Sequence, residues 1–473
     1  MNNSKLIRLI QHFSKTELNQ LKTFINSPFF NKNKNVQKLM AFIESYAPCY
    51  NDQLFTYENA FAFIFKGQAF RKETVIKLFS KLLILTEQFI IHSRLKENDL
   101  MGKIELLKYY NQKNFTGYFQ STLKKTRQMQ SALPIKNDDY IYRQLLIEHE
   151  YAFFLSLNSD DGTGDVNLQA TNNSLDKFYI QRKLRYFCFM KNRERSVNHP
   201  FVYTFEKELE GFLQNSSLRN EPSVVIWWDA YLLLCNPNSL DHYKKLKLNL
   251  DKYASEISLA DKRTLYTYLE NTAKFVFKDF FEELYTLYKL QIEQQIIYKN
   301  NYLVPVVFKN IVTVALRLKE FGWASDFIKT HRNKIFPEHK EKDDIYFLCL
   351  AMLHFEQGAF ETALDVLNQT KMTNLYIKLE ERRLRLKIYY EMDFQMLFED
   401  SINSFRKFLS EHRSEIVKYY LEANRNFINI INYLSKTTRY DDRRKIKLSN
   451  MITETVVLPE EIWIREKIKS IFG

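Results

Sequence analysis

Apolar residues recur every three or four positions through almost the whole chain, the spacing of amphipathic helices rather than the alternation of half-buried strands. The first clear start signal is Ser14-Lys15-Thr16-Glu17, a capping box in which the Ser14 hydroxyl accepts a backbone N–H while Glu17 reaches back, with Leu18, Leu21, Phe24 and Ile25 following. Asn26-Ser27-Pro28 ends that helix, because proline disfavours helical geometry in the residue before it. A second helix is predicted from about Asn35 to Tyr46, and a long one over Lys72 to Leu95, where Val75, Leu78, Phe79, Leu82, Leu85 and Phe89 make one stripe. Helical patterns continue over 104–112, 118–131, 139–157, 175–190 and 201–213, then over 224–234, 240–253, 261–277, 280–298 and 304–320. Between them, the polar stretch from Asn158 to Ser174 reads as a surface loop. Its Asp160, Asp161, Gly162 and Asp165 do not make a calcium loop, since counting back from Gly162 puts Leu157 and Ser159 at the first two ligand positions.

Composition points the same way. Only 9 Gly and 9 Pro in 473 residues leave few of the turn-formers that an all-β or α/β chain of this length needs, so the expected fold is all-α. Hydrophobic residues make up 45% of the chain and charged residues 26%, the balance of a folded protein. Cys49, Cys188, Cys235 and Cys349 lie far apart, with no C-x-x-C pair, and are expected to be reduced. No charge-free run of membrane-spanning length exists, and Gln11, His12 and Lys15 interrupt what would be a signal-peptide core, so a cytoplasmic protein is expected.

The net charge of +13 is uneven: residues 1–96 carry 14 basic and 6 acidic side chains, and residues 435–473 carry 9 and 6, whereas the long middle is balanced. Lys32, Lys34 and Lys38, within the basic first segment, are candidates for contact with an anionic partner such as nucleic acid or an acidic surface. The structural alternative is a solvated face. These shifts suggest four regions: a basic helical region over 1–96, helical hairpins over 97–300, a repeat region over 301–434 and a basic helical extension over 435–473.

The clearest repeat unit is Phe347 to Thr370, where Phe347, Leu350, Ala351, His354, Gly358, Phe360, Ala363 and Leu367 alternate bulky, small and turn-forming residues. This pattern resembles a tetratricopeptide repeat (TPR). A second match lies 39 residues earlier (Phe308, Ile311, Val312, Ala315, Phe321, Ala324, Ile328), and a third 34 residues later (Leu384, Ile388, Phe394, Leu397) with Glu381 and Arg385 at the bulky and small positions. The resemblance implies an α-solenoid of stacked helical hairpins whose first helices face a concave groove. By those offsets the groove face presents Lys309, Thr313 and Leu316, then Leu348, Met352 and Phe355, then Arg382, Leu386 and Tyr389. The set lacks the Lys, Asn and Arg array by which some TPRs capture a terminal carboxylate, so the expected ligand is a peptide with apolar anchors and an acidic flank. The alternative is that neighbouring helices cover this face.

The chain as a whole is also similar to large all-helical proteins of Bacteroidetes-type bacteria, on Ser27-Pro28-Phe29-Phe30-Asn31, the Leu82 to Phe89 helix, Lys183-Leu184-Arg185, Trp323-Ala324 and Ile462-Trp463-Ile464 with Lys467. That likeness implies no activity. Neither a phosphate loop, a dinucleotide fingerprint nor an H-E-x-x-H motif is present, and the nine histidines have no zinc-site spacing, so no metal or cofactor is expected. Cys188, in Tyr186-Phe187-Cys188-Phe189-Met190, reads as core rather than as a nucleophile. The sequence thus favours a non-catalytic scaffold that binds another protein. A nucleic-acid-associated protein is the second reading, and an enzyme whose site is assembled from distant helices the third.

Overall fold

The computed structural model describes residues 1–473 except 3, 136, 159–162, 198–199, 337–341, 370–371, 373, 438–441, 456 and 473, with the backbone alone at 163–166, 195–197 and 442. The fold is all-α: the described residues form 23 α-helices and no strand, with only isolated bridges between Lys299 and Tyr302 and between Leu303 and Ile335. None of these helices is long and apolar enough to cross a membrane. The four cysteines are free thiols. The chain divides into two compact units, Met1–Lys183 and Leu184–Gly473.

The first unit contains α1 (Lys5–Ile10), α2 (Lys15–Asn26), α3 (Lys34–Glu44), α4 (Tyr57–Ile64), α5 (Lys72–Glu97), α6 (Asp99–Gln112), α7 (Thr116–Ser131) and α8 (Asp138–Asn158). The capping box closes as its residues dictate: the Ser14 hydroxyl accepts from Glu17 N at 3.2 Å, and Ser14 N donates to Glu17 Oε2 at 2.7 Å. The stripe of α5 is buried among Leu21, Ile25, Leu39, Met40 and Ile43, so α1 to α5 share one core. Just past Pro28, Phe30 stacks on Phe24 with centroids 3.9 Å apart, and buried Asn31 donates to the Ile25 carbonyl at 3.0 Å. The Ser-Pro-Phe-Phe-Asn segment is therefore a packed helix stop. A second core joins α6, α7 and α8 around Ile104, Leu107, Phe119 and Phe154.

The polar stretch expected to be a loop is largely helix, because α9 runs from Thr163 to Val197. Side-chain amides stand in for apolar periodicity: Gln169 donates to Asn173 and Asn172 to Asp176, each across one turn, while buried Asn167 donates to the Glu148 carbonyl. Asp160, Asp161 and Gly162 lie outside the described residues.

The second unit begins with α10 (Glu206–Asn215), α11 (Pro222–Cys235), α12 (Leu240–Lys252), α13 (Leu259–Val276) and α14 (Phe280–Glu293). It continues with α15 (Pro305–Arg317), α16 (Phe321–His331), α17 (Lys342–Glu356), α18 (Phe360–Asn368), α19 (Leu375–Glu391) and α20 (Gln395–Glu411). Last come α21 (Lys418–Leu434), α22 (Asp442–Glu454) and α23 (Glu461–Phe472). The helix expected over 280–298 stops at Glu293, since Gln295 turns to φ 58° and the Gln291 carbonyl takes up the Ile296 N–H. Ile296, Ile297 and Tyr298 are buried without being helical, which prolongs the apolar pattern past the helix.

Helices α15 and α16, α17 and α18, and α19 and α20 form three successive hairpins, and α17 also packs against both α15 and α19. The turns between paired helices contain Lys319, Gly358 and Asp393, all with positive φ. Ala315, Ala324, Ala351 and Ala363 are fully buried, so the helices approach closely where a small side chain allows it. We expect Ala363→Trp to cost about 1 to 3 kcal/mol or more, because the ring must enter a filled crossing. Ala359→Trp, at the half-buried cap of α18, should shift stability far less. Urea denaturation of the two variants checks this, and equal losses would contradict the packing.

Candidate functional site

The groove lies on one face of α15, α17 and α19. Positions 309, 313 and 317 on α15, and 348, 352 and 356 on α17, are spaced by four and so line up along each helix. From α15 come Lys309, Thr313, Leu316 and Arg317, and from α17 come Leu348, Met352, Phe355 and Glu356. The third wall is Glu380, Arg383, Leu384 and Lys387 of α19, and Glu460, just ahead of α23, closes a cavity of about 190 Å³. Beyond the Lys309–Glu380 ion pair, 2.5 Å long, a second cavity of about 280 Å³ adds Val306, Tyr376 and Tyr420. The groove thus gathers Arg317, Lys387 and Glu460 at one end and adds apolar and aromatic residues at the other, with Lys309, Glu380 and Arg383 shared by both cavities.

Glu460 organises the cationic end. Its Oε2 accepts from Lys387 Nζ at 2.8 Å and lies 3.7 Å from an Arg317 nitrogen, while Oε1 lies 3.8 Å from Arg383 Nε. Burial alone would raise this carboxyl, but Lys387, Arg383 and Arg317 hold it down to about 2. Lys387 is only 4% exposed, and its ammonium lies 4.4 Å from the Phe355 ring centroid and 5.6 Å from that of Trp463. Arg383 donates through Nη1 to Asn424 at 2.8 Å, whereas its buried Nε has no hydrogen-bond partner among the described residues. Helix α23 is fixed beside the groove by Glu391, which accepts from Trp463 Nε1 at 2.7 Å and pairs with Lys467 at 2.6 Å.

Of the nine groove positions expected from the sequence, the six on α15 and α17 line this cavity. The three on α19 do not. Arg382 instead lies over the Phe408 ring at 4.5 Å and donates to Ser404, while Leu386 and Tyr389 are buried core residues. The turn residues give the reason: Lys319 to Gly358 is 39 positions, but Gly358 to Asp393 is 35 rather than 34. A one-residue shift moves the groove face of α19 from 382 and 386 to 383 and 387. It also puts Arg382 where a bulky residue belongs, and its guanidinium fills that place by stacking on phenylalanines. Arg317, Arg383, Lys387 and Glu460 were not legible as a site. The correct offset would have found the two on α19, but nothing local marks Glu460, which precedes an amphipathic helix far along the chain.

In the first unit, Lys32, Lys34 and Lys38 are exposed, the last two one turn apart on α3, and Lys38 donates to the Ile64 carbonyl at 3.3 Å. Cys188 is fully buried, and burial pushes its thiol well up, as suits a core residue. No group of His, Cys, Asp and Glu suited to a metal occurs among the described residues.

A separate cavity of about 270 Å³ next to α13 and α14 is faced by Glu270, which accepts from Gln291 Nε2 at 2.7 Å. Burial raises this carboxyl from 4.5 to about 7, only partly offset by the Gln291 hydrogen bond. A raised carboxyl stabilises the fold fully below its ordinary value, and that contribution is lost as pH rises through about 7. Glu270→Gln should therefore match the parent at pH 4 to 5 and exceed its stability by up to about 3 kcal/mol near pH 8.5. Chemical denaturation at the two pH values measures this, and a parallel pH dependence for both proteins would contradict it.

No known protein family, curated protein or solved structure matches this chain.

Proposed function

We propose that the second unit is a non-catalytic, TPR-like helical-repeat scaffold that binds a protein partner along the α15–α17–α19 groove. Three successive hairpins, small residues at the close crossings and positive-φ turns at Lys319, Gly358 and Asp393 support a stacked-repeat arrangement. The observation that carries the binding role is that Arg317, Arg383 and Lys387, from two helices, converge on a single carboxylate inside the groove. Charge-assisted contacts of that kind suit an acidic side chain of a partner, and Val306, Tyr376 and Tyr420 offer places for apolar anchors at the far end.

A peptide library displayed against the full-length protein tests this reading. Selected peptides should be enriched in Glu or Asp beside apolar residues, and Arg317→Gln should weaken them about tenfold, the equivalent of about 1.4 kcal/mol. Binding should also fall as salt is raised. Selection of peptides without acidic residues, or peptides indifferent to Arg317→Gln, would contradict the groove assignment.

A further inference from the structure

Resting on the reading of the groove as a partner-binding surface, we propose that Glu460 and Trp463 are its internal ligand, and that the partner is a segment with a carboxylate just ahead of a helix and an aromatic side chain three residues later in that helix's first turn, which displaces α23. Three features of the cationic end lead there.

The first is charge. Without Glu460, the lining holds Lys309, Arg317, Arg383 and Lys387 against only Glu356 and Glu380. Lys309 is already matched by Glu380, which leaves three cations, Arg317, Arg383 and nearly buried Lys387, against Glu356 alone. A desolvated cation without a counter-charge is costly, so the groove is complementary to a carboxylate whichever chain supplies it. Buried Arg383 Nε, with no hydrogen-bond partner among the described residues, is a donor that a differently placed carboxylate can satisfy.

The second is the spacing. Glu460 stands just ahead of α23 and Trp463 lies in its first turn, and the two address the same ammonium, Lys387, from two directions. The indole also donates to Glu391 and meets the Tyr390 ring edge-on at 5.4 Å. A carboxylate with an aromatic one turn later is thus read at two points, which a lone acidic residue does not satisfy.

The third is the manner of attachment. Val457 to Glu460 are not helical, and Glu460 itself takes φ 59°, a strained left-handed conformation for a residue with a Cβ. Beyond the buried pair Trp463 and Ile464, α23 rests only the partly buried Ile468 and Ile471 on the core and exposes Arg465, Glu466 and Lys469; its polar ties run to Glu391, and Glu460 just ahead of it holds the groove cations. A tethered ligand is present at high effective concentration, so it lowers the apparent affinity of any competitor by the fraction of time the groove stands open. A partner segment free of the strained approach at Glu460 competes with it.

The test uses full-length protein and a labelled peptide of this chain's residues 457–469, VLPEEIWIREKIK, in fluorescence anisotropy. Glu460→Ala/Trp463→Ala should bind this peptide at least tenfold more tightly than the parent. Replacing the peptide's first Glu by Gln, or its Trp by Ala, should cost at least tenfold. Equal affinity of parent and variant, or indifference to the Glu replacement, overturns the internal-ligand assignment. If library-selected acidic peptides then bind both proteins equally, the groove reading survives and the displacement fails alone; if no acidic peptide binds either protein, both fall. Should the double variant not fold, Lys467→Ala removes one tie to Glu391, and the same affinity gain is expected from it. A concentration-dependent dimer of the parent that Glu460→Ala abolishes would assign the segment to a second copy of this chain and overturn the partner reading.

Discussion

Lys387→Met should destabilise the second unit by up to about 3 kcal/mol, and adding Glu460→Leu should recover part of that loss, since Arg317 and Arg383 then lose their shared anion. The ammonium of Lys387 is the nearest cation to Glu460, at 2.8 Å, whereas Arg317 and Arg383 stand 3.7 and 3.8 Å away. Removing the ammonium leaves Glu460 with only the more distant Arg317 and Arg383; stripping a buried charge of every partner typically costs about 3 to 5 kcal/mol, so the loss here should lie at or below that range. Glu460→Leu alone should also be costly, since it strands a lysine that is 4% exposed. The pH dependence follows from the lowered carboxyl. The contribution of Glu460 is complete above its ordinary value of 4.5 and is lost as pH falls through about 2, so the coupling between the two positions should be clearly smaller at pH 3 than at pH 7 without being abolished. A double-mutant cycle by urea denaturation at pH 7 and pH 3 measures it. Additive losses at neutral pH would show that the pair does not act as a unit.

Phe355→Ala should cost about 3 to 5 kcal/mol, the range for emptying a buried phenylalanine site. Phe355 is buried against Phe360, with ring centroids 5.5 Å apart, and presents its face to the Lys387 ammonium at 4.4 Å. The substitution therefore opens a cavity and removes the ring beneath a nearly buried cation. Met352, one turn earlier on the same groove face, is only partly buried, and Met352→Ala should cost clearly less while still weakening peptide binding. Thermal melts paired with anisotropy separate the two roles. Equal stability losses would mean that Met352 is core, and that the groove floor on α17 is closed to a ligand.

The contrast between those two neighbours shows where sequence reasoning stops. Helices were legible because apolar residues at 3.6-residue spacing must face a core: Val75 to Phe89 on α5 and the Ser14 capping box are decided within a few residues. The stretch from Thr163 to Ser174 was misread as loop because its helix is held by Asn, Gln and Thr side chains, which carry no apolar period. On α15 and α17 the offset of 39 placed six groove residues on a common face. On α19 the offset of 34 put Glu381 and Arg385, which pair with each other at 2.6 Å, at the bulky and small positions, whereas the observed offset of 35 puts Arg382 and Leu386 there. Lys387 and Glu460 are 73 positions apart, and only the tertiary fold makes one the counter-ion of the other.

Hydrogen exchange of α23 during titration with an acidic peptide bearing Glu and Trp three residues apart tests the account most directly. As the groove fills, followed in parallel by anisotropy, the amides of α23 should lose protection while those of α15, α17 and α19 keep or gain it, because the peptide takes the place of Glu460 on Arg317, Arg383 and Lys387. Unchanged protection of α23 at saturating peptide would contradict the account, since both ligands cannot hold the same cations at once.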